Sequence, residues 1–199
     1  MLHEITTVGY STHEWPDFLR LLEQARVTAI ADVRSHPTAR LPYYRRENLA
    51  PNLRAAGIEY AFLGEELGAR RGEPECFVGD RADYDRIASL PAFRRGIERL
   101  ERGSADHRIA LMCAEKEPLD CHRGVLVSRV LAETGWRVSH LLADGRLEPH
   151  NETEQRLLRL SEADPLLDAG LSPRQLLERA YTERGLELAW RRPSDTTTQ

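Results

Sequence analysis

Five short apolar segments, separated by amphipathic stretches, constrain the fold of this chain more than any other feature. They lie at residues 5–9, 28–33, 58–63, 108–113 and 136–142. The fourth of them, RIALMC, is the most continuously apolar, which is typical of a central strand covered on both faces. Strands that alternate with helices favour a parallel sheet with right-handed crossovers. The pattern therefore predicts an α/β fold of three layers, α/β/α, around a mainly parallel sheet of about five strands.

Helical patterns occupy the spaces between these strands. Ser11 and Glu14 have the spacing of a capping box, and an apolar face follows at i, i+3, i+4 and i+7. We therefore predict a helix that Ser11 caps. The other predicted elements are helices at 48–56 and 121–134, a long loop at 64–80, and a helical pattern that starts at residue 82 and breaks near Pro91.

The sequence changes character after His150. Apolar residues there fit two further helices, and Ser172 with Pro173 forms a favourable N-cap and first-turn pair. We predict that both helices pack on the sheet. The predicted organisation is an α/β domain at residues 1–150, a helical extension at 151–190 and a flexible tail at 191–199.

Composition and charge narrow the classes of function. The 199 residues are 41% hydrophobic, and no apolar run approaches the roughly 18 residues that a membrane helix needs. The N-terminus shows no secretory pattern, so we expect a cytoplasmic protein without a membrane partner. Three cysteines are too few, and odd in number, for a disulfide framework, which favours reduced thiols. The formal net charge of −4 argues against broad binding to nucleic acid.

The carboxyl ends of the strands are the expected place for a ligand in an open parallel sheet. The strongest segment at that rim is CAEKEPLDCHR, residues 113–123, which runs from a strand to the start of a helix. A helix N-terminus stabilises a bound anion and lowers the pKa of a thiol. In the alternative, these residues only cap the helix, fill the core or face solvent. The candidates from this segment are Cys121, Cys113 and His122 as catalytic groups and Glu115 and Arg123 as ligand contacts.

The segment DVRSHP, residues 32–37, supplies a second set of candidates. Asp32 ends an otherwise apolar strand, where a carboxylate is costly unless it is paired. Arg34 is the obvious partner, either directly or across a ligand. Asp32 is therefore a candidate catalytic group, and Arg34 and Ser35 are candidate ligand contacts. A purely structural ion pair is the alternative.

Three further groups complete the predicted rim. Residues 9–11 follow the first strand, where a glycine permits close approach. Residues 43–46 (YYRR) lie in a loop, and an aromatic–arginine cluster can cover a cleft and stack a base, with loop anchoring as the alternative. The candidate ligand contacts from these groups and from the end of the fifth strand are Gly9, Tyr10, Ser11, Tyr44, Arg45 and Asp144.

Five motifs lie in order over about residues 6–150: TVGYST, IADVRSHPTAR, AFLGEELGARR, LMCAEKEPLDCHR and HLLADGRLEPH. In combination they resemble domain-of-unknown-function family 488. The resemblance implies a fold but names no activity. It also implies a set of motif positions, which are Gly9, Ser11, Asp32, Arg34, Cys113, Glu115, Cys121, His122, Arg123, Asp144 and His150.

The residues leave three classes of function open. The first is a thiol-dependent transferase or hydrolase that acts on a small anionic or nucleotide-like ligand and needs no cofactor or metal. The second is a metal site of Cys113, Cys121 and His122, with His36 or His140, although seven residues between the cysteines is unlike a structural zinc module. The third is a non-catalytic module that binds nucleic acid or protein through the arginines at positions 40, 45, 46, 70 and 71.

Overall fold

The computed structural model describes residues 3–11, 13–161 and 170–193 of the chain. In chain order, the strands of the described residues are β1 (Glu4–Gly9), β2 (Ala29–Asp32), β3 (Glu59–Phe62), β4 (Phe77–Val78), β5 (Arg81–Ala82), β6 (Ile109–Cys113), β7 (Arg137–Leu141) and β8 (Leu147–Pro149). Six of them form the main sheet in the order β3-β2-β6-β1-β7-β8, and β4 pairs with β5. All neighbours in the main sheet are parallel except β7 and β8.

The described residues also form eight α-helices. They are α1 (Trp15–Gln24), α2 (Arg46–Ala55), α3 (Gly64–Leu67), α4 (Tyr84–Ser89), α5 (Pro91–Ser104), α6 (Arg129–Glu133), α7 (His150–Leu160) and α8 (Pro173–Leu188). Short 3₁₀ segments lie at Pro42–Tyr44, Pro74–Cys76 and Pro118–Asp120, and a π-helix lies at Arg123–Ser128.

The helices form one layer on each face of the sheet. α1 and α2 bury Phe18, Leu22 and Leu53 against one face, because their apolar residues recur at helical spacing. α5, the π-helix, α7 and α8 supply the core of the other face. β6 is buried along its whole length, as its apolar sequence predicts. The predicted three-layer α/β/α fold with a mainly parallel sheet is therefore confirmed.

The main sheet has six strands rather than about five because a hairpin extends it. The chain turns after β7, and β8 returns antiparallel at the edge with Leu147 opposite Leu141. β8 has only three residues, LEP, and a segment of this length carries no periodic signal.

The predicted capping box at the start of α1 is wrong. α1 begins at Trp15 with Glu14 as its N-cap, and the Glu14 side chain makes no capping hydrogen bond. Pro16 in the first turn presets the helical backbone at this point. Ser11 lies over the rim instead, where its N–H donates to Ala114 O at 2.8 Å.

Two other segments differ from their predictions. The loop predicted at residues 64–80 contains α3, a 3₁₀ turn and β4. The helix predicted at 121–134 contains the π-helix at Arg123–Ser128, and α6 continues it to Glu133. Such π-helical turns are rare in proteins, and many of those that occur lie at functional sites.

The C-terminal helices pack on the sheet, as predicted. Leu157 of α7 and Tyr181 of α8 belong to the same core cluster as β6. Ser172 caps α8 and forms a capping box with Gln175, which confirms the predicted start of that helix.

The predicted boundaries of the extension and tail stay predictions. Arg191, the first residue of the predicted tail, forms an isolated β-bridge with Arg81, and residues 194–199 lie outside the described part of the chain. Across the described residues, no helix combines the length and apolarity needed to cross a membrane.

The topology creates a crevice at the carboxyl end of β6. Gly9 at the end of β1 lies opposite Cys113, and Asp32 at the end of β2 lies opposite Met112. The chain leaves β1 and β2 toward α1 and α2 on one face, whereas it leaves β6 toward the π-helix on the other. A point where neighbouring connections diverge in this way is the usual position of a ligand site in α/β proteins.

Candidate functional site

A cavity of about 360 Å³ opens at this crevice. Its floor consists of the end of β6 and the residues just before the π-helix, and one wall follows β2. The segments 32–37 and 113–123, which are far apart in sequence, therefore meet at one mouth of the sheet. The sequence-predicted candidates that line the cavity are Tyr10, Arg34, Ser35, Cys113, Glu115, Cys121 and His122.

The most compact reactive group in the cavity consists of Cys113, Cys121 and His122, called the Cys–Cys–His cluster below. His122 Nδ1 lies 3.8 Å from each of the two sulfurs. The three potential ligand atoms all lie within 4.8 Å of one another. Both cysteines are buried and the histidine is half-buried, so the cluster is largely shielded from bulk water.

A backbone carbonyl determines the orientation of the His122 ring. Nε2 lies 3.0 Å from Val33 O, which can only accept a hydrogen bond. Nε2 therefore carries a proton, and in the neutral ring Nδ1 presents its lone pair to the two sulfurs. A histidine that donates one ring N–H to a carbonyl and turns its other nitrogen to a cysteine pair has the orientation of a metal ligand.

The surroundings shift the pKa values of the two thiols of the cluster in opposite directions. Burial opposes the charged form of Cys121, but the hydrogen bond from Cys113 and the charges of Arg123 and His122 outweigh it and hold the pKa of Cys121 well below its usual value. The hydrogen bond to Cys121, together with burial, raises the pKa of Cys113. Burial also lowers the pKa of His122, and the negative charge of Cys121 more than reverses this. The arrangement therefore favours a thiolate at Cys121 beside a protonated Cys113.

Lone pairs outnumber donors around the cluster. Glu115 Oε2 lies 3.1 Å from Cys113 Sγ, and burial raises the pKa of this carboxyl group. Among the described residues, one backbone N–H donates to the sulfurs, from Arg123 to Cys121 Sγ at 3.4 Å. Two sulfurs, an imidazole nitrogen and a carboxylate thus converge with a single backbone donor among the described residues, and these atom types are the ones that bind a cation such as zinc.

Asp32 and Arg34 form a second polar group, and its bonding capacity is almost fully used. Asp32 Oδ1 accepts hydrogen bonds from Arg34 N (3.1 Å) and Nε (2.8 Å), and Oδ2 accepts from Arg34 Nη2 (2.7 Å) and Tyr60 OH (2.9 Å). Arg34 Nη1 donates to Tyr44 O (3.0 Å) and Tyr10 OH (3.3 Å). Asp32 is fully buried and does not line the cavity. The pair is therefore direct, rather than bridged by a ligand.

Arg123 points into the protein behind the cavity. Its side chain is buried, Nη1 donates to Glu115 O at 2.6 Å and Nη2 donates to Lys116 O at 3.1 Å. Gly9 admits the same loop, since a Cβ at that position would lie 1.8 Å from Glu115 O. Arg123 and Gly9, which the sequence suggests as ligand contacts, therefore support the loop that carries Glu115 and do not line the cavity.

The loop predicted to cover the cavity packs elsewhere. Tyr44 is fully buried and meets Phe18 edge-on at 5.3 Å, because its ring completes the core beneath α1. Arg45 Nε donates to Ala39 O at 3.0 Å. Neither Tyr44 nor Arg45 lines the cavity, so the structure corrects the predicted lid to an anchored loop.

Three other candidates also lie outside the cavity lining. Ser11 contacts the rim through its backbone N–H. Asp144 lies between β7 and β8, where Oδ1 accepts from Arg146 N–H at 3.0 Å, and it lines a separate cavity beside His13. His150 begins α7 and is buried. Position near the end of a strand therefore does not by itself place a side chain in the cavity.

The cavity also includes residues that the sequence patterns do not indicate. Tyr84 of α4, Leu188 at the end of α8, and Trp190 contribute apolar lining. Arg70 and His36, which appear only in the alternative functions above, contribute polar lining. A tryptophan next to a polar C-terminal segment is the one sequence signal for Trp190, and no local pattern connects Tyr84 with the rim.

Comparison with known proteins gives one match. The family model Domain of unknown function DUF488 matches residues 14–130, which is more than half of the 199 residues. The match confirms the resemblance seen in the motifs, over a shorter span, and it includes the Cys–Cys–His cluster but neither α7 nor α8. No curated protein and no solved structure gives a significant match. The chain therefore belongs to the DUF488 family, whose description assigns no function.

Proposed function

We propose that the chain is a metal-dependent hydrolase in which Cys113, Cys121 and His122 hold a zinc-type ion at the floor of the cavity. The observation that carries this proposal is the convergence of two sulfurs and one oriented imidazole nitrogen within 4.8 Å, facing a cavity of about 360 Å³. The expected substrate is a small anionic or nucleotide-like molecule.

The spacing of the cluster fits tetrahedral zinc. Bonds of about 2.3 Å to sulfur and 2.0 Å to nitrogen place these two kinds of ligand atom about 3.5 Å apart. His122 Nδ1 lies 3.8 Å from both sulfurs, so a movement of a few tenths of an ångström would complete the site. Structural zinc sites take four protein ligands, whereas two cysteines and one histidine leave a fourth position for water. The donor set therefore supports a catalytic ion.

Glu115 is the proposed acid–base group. Its carboxylate lies beside Cys113 and lines the same cavity. Zinc lowers the pKa of bound water to about 7, so a neighbouring carboxylate can accept a proton from that water. An ion held by Cys113, Cys121 and His122 would supply activated water as the nucleophile toward the electrophilic carbon or phosphorus of the substrate, and Glu115 would return the proton to the leaving group.

The cavity walls favour a substrate with a negative group and a flat ring. Asp32 balances the charge of Arg34, so Arg34 is a weak anion contact. Arg70 lines the cavity and forms no ion pair with the described residues, which makes it the preferred contact for an anion. Trp190 lines the same space and offers an aromatic surface for a base-like ring, whereas the ring of Tyr10 stacks on Tyr44 at 4.2 Å.

Cobalt(II) titration of the chelator-treated full chain tests the proposal. We expect one ion per chain and the absorption of a cobalt–thiolate bond. Cys121→Ser should weaken binding by more than about 100-fold, because changes outside the ligand shell already cost roughly 10–100-fold. Cys76→Ser is the matched control, since Cys76 is a buried free cysteine outside the cluster. Failure of the wild-type chain to bind cobalt, or equal losses in both variants, would contradict the proposal.

The cluster also supports a second function, a thiol-dependent enzyme without a metal. The lowered pKa of Cys121 and the N–H of Arg123 on its sulfur favour Cys121 as a nucleophile, with His122 as its acid–base partner. In this case, the alkylation rate of Cys121 should reach its plateau below about pH 8, with or without zinc, whereas a free thiol titrates near 8.5. Under the metal proposal, zinc should protect Cys121 from alkylation.

A further inference from the structure

We infer that the C-terminal helices position the metal site through a buried chain of hydrogen bonds, with Tyr181, His150, His140 and Thr7 as positioning residues. The inference rests on the function proposed above. It extends that function to α7 and α8, which lie beyond the segment matched by the family model.

The buried chain runs from α8 to β1 without a break. Tyr181 OH lies 3.0 Å from His150 Nε2, and His150 Nδ1 lies 2.9 Å from His140 Nε2. His140 Nδ1 lies 2.8 Å from Thr7 Oγ1, which accepts a hydrogen bond from Arg123 Nε at 3.4 Å. All five residues are at most 6% exposed. A connected polar path of this length within a core needs every member satisfied.

A cation at one end leaves the Thr7 hydroxyl proton available. The guanidinium of Arg123 only donates, so Thr7 Oγ1 accepts there with one lone pair and can donate its own proton to His140 Nδ1. His140 Nε2 then carries the proton that is donated to His150 Nδ1. Burial lowers the pKa of both histidines, which agrees with neutral rings that carry one proton each.

An anion at the other end sets the direction of the hydrogen bonds. Tyr181 OH donates to Glu154 Oε1 at 3.2 Å, so its oxygen is left to accept from His150 Nε2. With each neutral ring donating from Nε2, one arrangement of protons satisfies both ends. The buried chain does not deliver protons to the site, because the guanidinium of Arg123 does not release its proton. Its role is to fix the position of the Arg123 side chain.

Arg123 connects the buried chain to the metal site. Its two other nitrogens hold the carbonyls of Glu115 and Lys116, at 2.6 and 3.1 Å. Those carbonyls lie in the loop between the ligands Cys113 and Cys121, and Glu115 is the proposed acid–base group. A shift of Arg123 therefore changes both the spacing of the ligands and the direction of the Glu115 side chain.

Two variants interrupt the buried chain without removing a ligand: Thr7→Val and Tyr181→Phe. Each removes one hydroxyl group and keeps most of the side-chain shape. Thr153→Val is the matched control, because Thr153 is also a buried threonine and its Oγ1 donates to Glu148 Oε1 at 2.6 Å, outside the buried chain. All three variants lose at least one buried hydrogen bond, so each of them reports a general loss of stability through its Tm.

Cobalt(II) binding by the full chain is the main readout. We expect roughly tenfold weaker binding and a shifted cobalt–thiolate absorption in Thr7→Val and Tyr181→Phe, as for other groups that orient metal ligands. Thr153→Val should lower the Tm and leave both properties unchanged. Wild-type binding and spectra in the first two variants, or the same change in all three, would overturn the inference.

Amide exchange separates this inference from the proposed function. If the wild-type chain binds no cobalt, the proposed function fails, and exchange of the Ser11 amide decides the inference. That N–H donates to Ala114 O, at the start of the loop that Arg123 holds. Its exchange should be up to about tenfold faster in Thr7→Val and Tyr181→Phe and unchanged in Thr153→Val. An unchanged rate in the first two variants would overturn the inference.

Discussion

Two buried polar groups meet at the rim of the sheet, and they differ in how completely their bonding capacity is used. In the Asp32–Arg34 pair, each carboxylate oxygen accepts two hydrogen bonds and the two charges cancel. In the Cys–Cys–His cluster, two sulfurs and an imidazole lone pair converge, and one backbone N–H among the described residues donates to them. The first group is complete within the protein and stabilises the fold. Under the proposed function an added cation completes the second group, and the chemistry is assigned to it.

The largest effect on stability should come from breaking the saturated pair. Asp32→Asn leaves Arg34 charged and buried without a counter-ion, so we expect the free energy of unfolding to fall by about 3–5 kcal/mol in denaturant titrations. Asp17→Asn is the control, because it removes the partner of Arg20 in an exposed pair and should cost less than about 1 kcal/mol. Small and equal losses in both variants would remove the distinction between the two groups at the rim.

The paired histidines form another saturated group, whose effect depends on pH. Burial lowers the pKa of His150 from 6.5 to about 4, and burial also lowers that of His140. At a pH between about 4 and 6.5, the unfolded chain binds a proton at His150 that the folded chain does not bind. The contribution of His150 to the free energy of unfolding is therefore fully present above pH 6.5. It is lost as the pH falls toward 4, and the loss is on the order of 3 kcal/mol.

Denaturant titrations at several pH values across this window measure the loss. His150→Gln should reduce the dependence on pH, because the variant lacks one of the two histidines whose pKa falls on folding. A wild-type stability that stays constant through the window would show that His150 is not held neutral by burial.

A smaller effect should come from the contact that places the rim groups side by side. A Cβ at Gly9 would lie 1.8 Å from Glu115 O, so Gly9→Ala has to displace that loop, at a cost of about 1–3 kcal/mol. Cobalt binding should also weaken. Gly72→Ala is the control, since no heavy atom of the described residues, apart from its chain neighbours, lies within 4 Å of its Cβ position. If Gly9→Ala were as stable as the control, the loop would not rest on β1 as described.

The strands were more predictable from the sequence than the ends of the helices. β6 and its parallel neighbour β2 are apolar almost throughout and buried along their length, which burial on both faces of a sheet requires. β8 is too short to give such a run. The capping box failed because its spacing is a local signal, whereas the N–H of Ser11 takes a tertiary partner, Ala114 O.

The reactive residues of the site were predictable, and the direction of its arginines was not. Cys113 ends a strand and His122 precedes a helix, so topology alone brings them to one rim. Arg34 and Arg123 also lie near this rim. Arg34 pairs with a neighbouring carboxylate, and Arg123 donates to backbone carbonyls that only the folded loop supplies. Trp190 reaches the cavity through the packing of α8, which no local pattern encodes.

X-ray absorption at the zinc edge of the zinc-loaded full chain measures the ligand set directly. We predict two sulfurs at about 2.3 Å and two nitrogen or oxygen ligands at about 2.0–2.1 Å. Cys121→Ser should remove one sulfur from this shell, and Cys76→Ser should remove none. A shell of nitrogen and oxygen alone would contradict the assignment of the Cys–Cys–His cluster as the metal site.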